Sequence, residues 1–212
     1  MRAVCLLRET PHYRRDAFCS GLKAAGFQVV AHIPDPKPDD VLVIWNRYTG
    51  YAEHAARFES AGARVLVAEN GYLGKAWRGG HWYSLAIGHH AGAGRWVEGG
   101  PQRWDSWGVE LLPWREGGRE TLIFGQRGIG EEGIASPANW AEQAQRLTGG
   151  RVRPHPGKEP PVVSLERDLS KVREVVTWHS GAALVALMAG IPVWHGFPDW
   201  IGARAGLPLA QF

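Results

Sequence analysis

VVTWHSGAALVALMAGIPVW, residues 175–194, holds the pattern on which the fold turns. An apolar run breaks at Thr177 to Gly181 into small and polar residues, then resumes at helical spacing and ends in Gly190-Ile191-Pro192. Residues 175–178 and 191–194 read as short buried strands, and 181–189 as a helix stopped by glycine and proline. Small side chains at Gly181, Ala182 and Ala183 let that helix start close to another backbone. Ser180 is suited to cap it by accepting a helix N–H. The N–H groups left over and the aligned peptide dipoles favour an anion such as a phosphate, with Thr177 and His179 beside it. A purely structural use of the same residues, capping and tight helix–sheet packing, stands next to that reading.

Outward from this stretch the alternation of strand and helix repeats. ETLIFG (120–125) reads as a strand running into the glycine loop QRGIGEEG, and Ser136-Pro137 as a helix start with Trp140, Ala144 and Leu147 on one face. RVRPHPG (151–157) is a strand and turn, PPVVSL (160–165) an extended piece, and DLSKVREV a helix beginning near Asp168. Further toward the N-terminus, RAVCLL (2–7), FQVVAHI (27–33), VLVIW (41–45) and ARVLVAEN (63–70) read as strands. Helices over 14–25 and 49–62 end at Gly26 and Gly62. Between the two regular parts, 71–119 is rich in Gly, Trp, His and Arg, with WYSLAI as a strand and a short helix within RWDSWGVELLPWR. Short, nearly continuous apolar strands alternating with helices predict an α/β protein of two small Rossmann-like units, their parallel sheets facing a central cleft. The expected division is residues 1–100, including the Gly/Trp-rich tail, and residues 101–212.

Composition narrows the function classes. A 212-residue chain that is 44% apolar and 21% charged can bury a sizeable core, which excludes a disordered protein. A net charge of +3 with no basic tail gives nucleic-acid binding little support. Cys5 and Cys19 read as two free thiols in a reducing compartment, hence a cytoplasmic expectation. No segment approaches the roughly twenty apolar residues of a membrane span. No CxxC, HExxH or carboxylate cluster points to a metal, so none is expected. The sequence leaves the oligomeric state open.

Candidate chemistry gathers where strands end. Arg153 offers a fork to a phosphate and His155, fixed between two prolines, offers one or two donors. Gln126, Arg127 and Gly128 form a second phosphate or ribose loop after a strand. That loop is neither a dinucleotide fingerprint nor a P-loop. In the first part, Glu69 is a candidate general base, with Glu9 and His12 as rivals. Tyr13, Arg14, Asn70, Gly71 and Tyr72 stand beside them as acceptor-side residues. Ser180 follows His179, but the GxSxG nucleophile elbow is missing.

RPHPG followed by VVTWHSGAALVALMAGIPVW resembles the donor-binding half of GT-B glycosyltransferases. Within that group it looks most like the capsule-polysaccharide biosynthesis and export type and its glycerophosphate-transferring relatives. VAENGYLG (67–74) is similar to their acidic turn after a first-domain strand, and with QRGIGEEG the likeness is strongest over 120–194. It implies a compact GT-B-like fold in which Arg153, His155, Thr177 and Ser180 hold the diphosphate of a UDP- or CDP-linked sugar. Gln126, Arg127, Gly128, His179, Gly181 and Ala182 complete that donor site, and Glu69 or a neighbour serves the acceptor. A metal-independent hexosyltransferase without a cofactor follows, with inversion at the sugar if a first-domain base activates the acceptor. The chain is shorter than such enzymes, and FPDWIGARAGLPLAQF lacks their long terminal helix. Compact proteins of this likeness occur among phage-associated genes, which implies double-stranded DNA with 5-hydroxymethylated pyrimidines as one acceptor. Two other classes remain open at this point. One is a nucleotide-sugar epimerase or hydrolase. The other is a non-catalytic DNA-binding or phage structural protein using Trp104, Trp107, Trp114, Arg103 and Arg115.

Overall fold

The computed structural model describes the 212-residue chain apart from Lys75, Ala76, Ala91, Pro161 and the side chain of Thr49. Two α/β units make it up, the first comprising Met1–His90 with Gly94–Trp96 and the second containing Val97–Phe212. The first runs β1 (Arg2–Cys5), α1 (Arg15–Ala24), β2 (Gln28–Val30), β3 (Val41–Trp45), α2 (Thr49–Ser60), β4 (Arg64–Asn70) and β5 (Tyr83–Ile87). Its sheet has the order β2-β1-β3-β4-β5, parallel except that β5 pairs antiparallel with β4. The wholly buried β3 shows why its run is apolar throughout. Leu42 and Ile44 pack into one core with Phe58 of α2, while Val41, Val43 and Trp45 pack into another with Leu22 of α1. A strand covered on both faces has no side left for water.

The second unit runs α3 (Gln102–Trp107), β6 (Glu120–Phe124), α4 (Trp140–Thr148), β7 (Arg151–Arg153), α5 (Leu165–Leu169), β8 (Val172–Thr177), α6 (Ala182–Met188), β9 (Val193–His195) and β10 (Leu207–Pro208). Its all-parallel sheet has the order β10-β9-β8-β6-β7. Counted from each unit's own first strand, both sheets follow the same 2-1-3-4-5 order. In such a sheet the chain reverses direction across the sheet between the first and third strands, and ligands bind outside the carboxyl ends there. That point lies between β1 and β3 in the first unit and between β6 and β8 in the second.

Four local expectations need correction. The helix expected to begin near Asp168 is instead α5, which ends at Leu169, and VREVV is strand. Ser164 caps α5 by accepting from the Arg167 N–H at 3.3 Å. The valines are β-branched and pair along β6, so sheet formation overrides the helix pattern. The helix expected from Ser136-Pro137 starts at Trp140, after a turn in which the Trp140 N–H donates to Pro137 O at 3.0 Å. On it Trp140 and Ala144 are buried, but Leu147 faces solvent. In PPVVSL, Pro161 lies outside the described residues, Val162 is almost wholly exposed, and Ser164 and Leu165 already belong to the cap and first turn of α5, so the extended piece is not formed there. The 27–33 strand shortens to three residues in β2, and β10 had no sequence signal.

Candidate functional site

In the second unit, three loops meet the carboxyl edge of the sheet. After β6, Gly125 lets the chain pass against β7: its N–H donates to Arg153 O at 2.9 Å, and a Cβ would stand 3.1 Å from that oxygen. Gln126 then reaches across the reversal point to the loop after β8. Its Oε1 accepts from the His179 N–H at 2.9 Å, and its Nε2 lies 3.2 Å from His179 Nδ1. A carboxamide that accepts with oxygen and donates with nitrogen makes Nδ1 the acceptor, which puts the neutral ring's hydrogen on Nε2. His179 is buried, edge-on to Phe197.

The loop after β7 folds back on His155. The N–H groups of Lys158 and Glu159 donate to its carbonyl at 2.8 and 3.0 Å, and the Gly157 N–H donates to its Nδ1 at 2.9 Å. The neutral imidazole therefore carries its hydrogen on Nε2. Burial first, then the charges of Arg127 and Lys158, push the His155 pKa down to about 4. The Arg127 stem is close as well, its Cδ 3.2 Å from where a Gly157 Cβ would be. Neither Arg127 nor Lys158 has an ion-pair partner among the described residues. Two cations and an imidazole N–H thus share one edge of the sheet without an ion pair among the described residues.

Arg153 has a different environment. It is buried and its Nη1 donates to Asp168, which also accepts from Arg151 at 2.9 Å. Arg151 is further held by Glu120, at 3.0 Å to each carboxylate oxygen. A phosphate reaching Arg153 would have to share it with Asp168. Arg127 and Lys158, by contrast, are exposed and uncommitted; Lys158 was not singled out in the sequence because nothing in its spacing ties it to His155.

At the start of α6 the hydroxyls serve the backbone. Thr177 Oγ1 accepts from the Ser180 N–H at 2.9 Å and Ser180 Oγ from the Ala182 N–H at 3.2 Å. The Ala183 and Leu184 N–H groups donate to Ser180 O and Gly181 O, both at 3.1 Å. The cap expected of Ser180 is formed. Most donors of the first turn are consequently used internally, and α6 is only seven residues long, so its dipole alone is a weak anion site.

In the first unit, the residues expected on the acceptor side occupy the carboxyl edge of β1 and β4. His12 and Tyr13 pack edge-on against Trp45, with centroids at 5.6 and 4.9 Å, and the Tyr83 hydroxyl donates to His12 O at 2.7 Å. Glu9 projects outward and pairs with Arg15 at 2.6 Å, while Arg14 pairs with Asp16 at 3.3 Å. Glu69 and Asn70 are still inside the ladder, opposite Ser84 and Tyr83 of β5. Gly71 abuts Trp82, its N–H donating to Trp82 O at 2.9 Å, and the Tyr72 ring meets Trp96 at 5.8 Å. His12 and Tyr13 are thus brought together with Trp45 and Tyr83, and Glu9 is turned to its own arginine. Of the residues considered for a DNA surface, Trp104 and Trp107 sit on α3. Arg115 instead ties the Leu169 and Val172 carbonyls at 2.6 and 2.9 Å. Among the described residues no group of three or more His, Cys, Asp or Glu could hold a metal ion. None of their helices is long and apolar enough to cross a membrane.

Comparison with solved structures matches the whole architecture. KpsC, beta Kdo 2,7 transferase, from Thermosulfurimonas dismutans superposes with a TM-score of 0.61 over 98% of this chain and 83% of that one, at 15% identity. The beta Kdo 2,4 transferase of the same organism's KpsC gives 0.52 over 91% and 79%, at 14% identity. The fold is GT-B-like. No protein-family model matches the chain, and neither does any curated protein.

Proposed function

We propose that the protein is a glycosyltransferase that moves a sugar from a nucleotide-activated donor to a hydroxyl acceptor. The donor occupies the second unit and the acceptor the first. The observation that carries this reading is the grouping of Arg127 and Lys158, which make no ion pair among the described residues, with the neutral His155 at the carboxyl edge of β6 and β7, close to the sheet's reversal point. An anion neutralises the two cations, and a nucleotide phosphate is the anion a GT-B-like fold is built to hold. Arg127 contributes a bidentate fork, Lys158 a point charge and His155 its Nε2–H. Gln126 and His179 close the neighbouring loop, and Gly128 and the Gly181 N–H complete the backbone around the phosphate. Arg153 acts behind them by fixing β7 through Asp168.

Glu69 accepts the proton of the acceptor hydroxyl as its oxygen attacks the anomeric carbon; His12 is the rival base. The bond from that carbon to the phosphate oxygen breaks, the nucleotide leaves with the electron pair, and the sugar inverts. Tyr13, Arg14, Asn70, Gly71 and Tyr72 line the acceptor side. Charge that develops on the leaving phosphate is stabilised by donors already in place. The likeness to Kdo transferases makes a Kdo-type sugar acid the first donor to test, ahead of neutral hexoses.

The test is a melting-temperature screen with nucleoside mono- and diphosphates and their sugars, including activated Kdo, followed by transfer assays on saccharide hydroxyls and on hydroxymethylated DNA. A stabilising nucleotide whose effect disappears in Arg127→Ala and His155→Ala is the expected result. Silence across the whole panel overturns the assignment. Donor consumed as fast without acceptor as with it assigns a hydrolase or epimerase instead.

A further inference from the structure

The first unit carries an unexplained side chain at its own reversal point. Asn46 directly follows β3, the strand whose carboxyl end, with that of β1, marks the place where a 2-1-3-4-5 sheet takes ligands. It is 7% exposed, its φ is +56°, and its Oδ1 is buried with no hydrogen-bond partner among the described residues. Both features cost stability. A left-handed backbone is tolerated better by asparagine than by most residues but best by glycine. A buried acceptor left unpaired has given up its hydration without a replacement bond.

The surroundings hold this turn firmly. The Asn46 N–H donates to Ala68 O at 3.1 Å, and the next residue's N–H donates to His90 Nδ1 at 2.9 Å. The Arg47 guanidinium donates to Gly88 O at 2.8 Å and to both Glu59 oxygens at 2.7 and 2.8 Å. The backbone is therefore held by groups other than the carboxamide, whose Oδ1 makes no hydrogen bond in the turn it sits in. Glycine would satisfy the same backbone with less strain and no orphan acceptor. Strain retained against a cheaper alternative is a mark of ligand sites.

We infer that the Asn46 carboxamide is a saccharide-binding group, accepting from one hydroxyl of the acceptor sugar through Oδ1 and positioning it at the carboxyl edge of β3. A polyol suits a carboxamide because each hydroxyl donates and accepts, matching Oδ1 and Nδ2 together. On the adjoining strand ends the exposed His12 ring and the half-buried Tyr13 ring, both packed edge-on against the buried Trp45, supply ring surfaces of the kind on which sugars rest. The inference rests on the proposed transferase reading for the identity of its ligand, but not for its test.

Three forms of the full-length protein decide it: wild type, Asn46→Gly and Asn46→Ala. Each is titrated by saturation-transfer NMR with free mono- and disaccharides, Kdo among them, and its melting temperature is recorded. Asn46→Gly is expected to melt at or above the wild-type temperature and to lose saccharide binding. Asn46→Ala, strained at positive φ, is expected to lose both binding and stability. In transfer assays the acceptor KM of Asn46→Gly rises at least about tenfold while the nucleotide-induced melting shift is unchanged. Undiminished saccharide binding by Asn46→Gly overturns the inference, as does a wild type that binds none of the saccharides. Saccharide binding that depends on Asn46 in a protein inert to every nucleotide sugar keeps this site and removes the transferase reading. Transfer with an unaltered acceptor KM does the reverse.

Discussion

His155 shows how a single residue turns local packing into a measurable pH dependence. A histidine in the unfolded chain protonates near pH 6.5, the folded one near 4, because burial and the neighbouring Arg127 and Lys158 disfavour its cationic form. Between those values the unfolded state binds more protons, so stability falls as pH drops through that window and is recovered above it. His155→Gln, which keeps a polar side chain without titrating there, is expected to flatten the pH dependence of urea unfolding between pH 7 and about 4.5. Ligand binding has the opposite slope. A bound phosphate offsets Arg127 and Lys158, raises the His155 pKa and draws in a proton, so nucleotide affinity is expected to tighten from pH 7.5 to about 5.5. Calorimetry in buffers of different ionisation enthalpy reads that proton directly, and its absence in His155→Gln checks the assignment. Loop proline and histidine made this residue legible in RPHPG. Its partner Lys158 was not, because proximity across a turn closed by three hydrogen bonds to His155 leaves no periodic trace.

Elements were legible where one force dominated. VLVIW is strand because both its faces are buried, and the same burial makes its sequence continuous and apolar. DLSKVREV misled because helix-forming and β-branched residues are mixed there, and only the pairing of β8 with β6 decides between them. The α6 region carries two predictions of its own. Thr177 is fully buried with its hydroxyl accepting from the Ser180 N–H, so Thr177→Val keeps the shape and leaves that donor unpaired. A loss of about 1–2 kcal/mol in urea unfolding is expected. At the other end, Gly190 has φ +70° and a Cβ there would overlap the Pro113 carbonyl oxygen. The 112–115 segment is bonded along this end of the helix, Leu112 N–H to Met188 O at 3.0 Å and Arg115 N–H to Gly190 O at 2.7 Å. Gly190→Ala is expected to cost about 2–4 kcal/mol through strain and overpacking together, read by the same denaturation curves.

At the scale of the molecule, both sheets repeat one strand order without repeating a sequence, which is why strand–helix alternation exposed the architecture while no internal repeat did. His155 and Lys158 follow the second strand of their unit and Glu69 lies on the fourth of its own, but other candidate residues fall after the first and third strands of each. Gln126 and His179 do so in the second unit, and His12 and Asn46 in the first. Asn46 was invisible in VIWNRY because neither a positive φ nor an unpaired amide can be read from residue type. A division of labour between the units makes a prediction that neither sheet makes alone. Glu69→Gln in the first unit removes the proposed base without touching Arg127, His155 and Lys158 of the second. Its kcat for transfer is expected to fall by about 10²–10⁴, with the nucleotide-induced melting shift intact. Arg127→Ala in the second unit is expected to remove the shift and the transfer together, through a higher donor KM. Should Glu69→Gln abolish nucleotide binding as well, or Arg127→Ala spare it, donor and acceptor are not divided between the units in this way. Rapid-quench transfer kinetics beside melting curves on the two variants read both outcomes in one experiment.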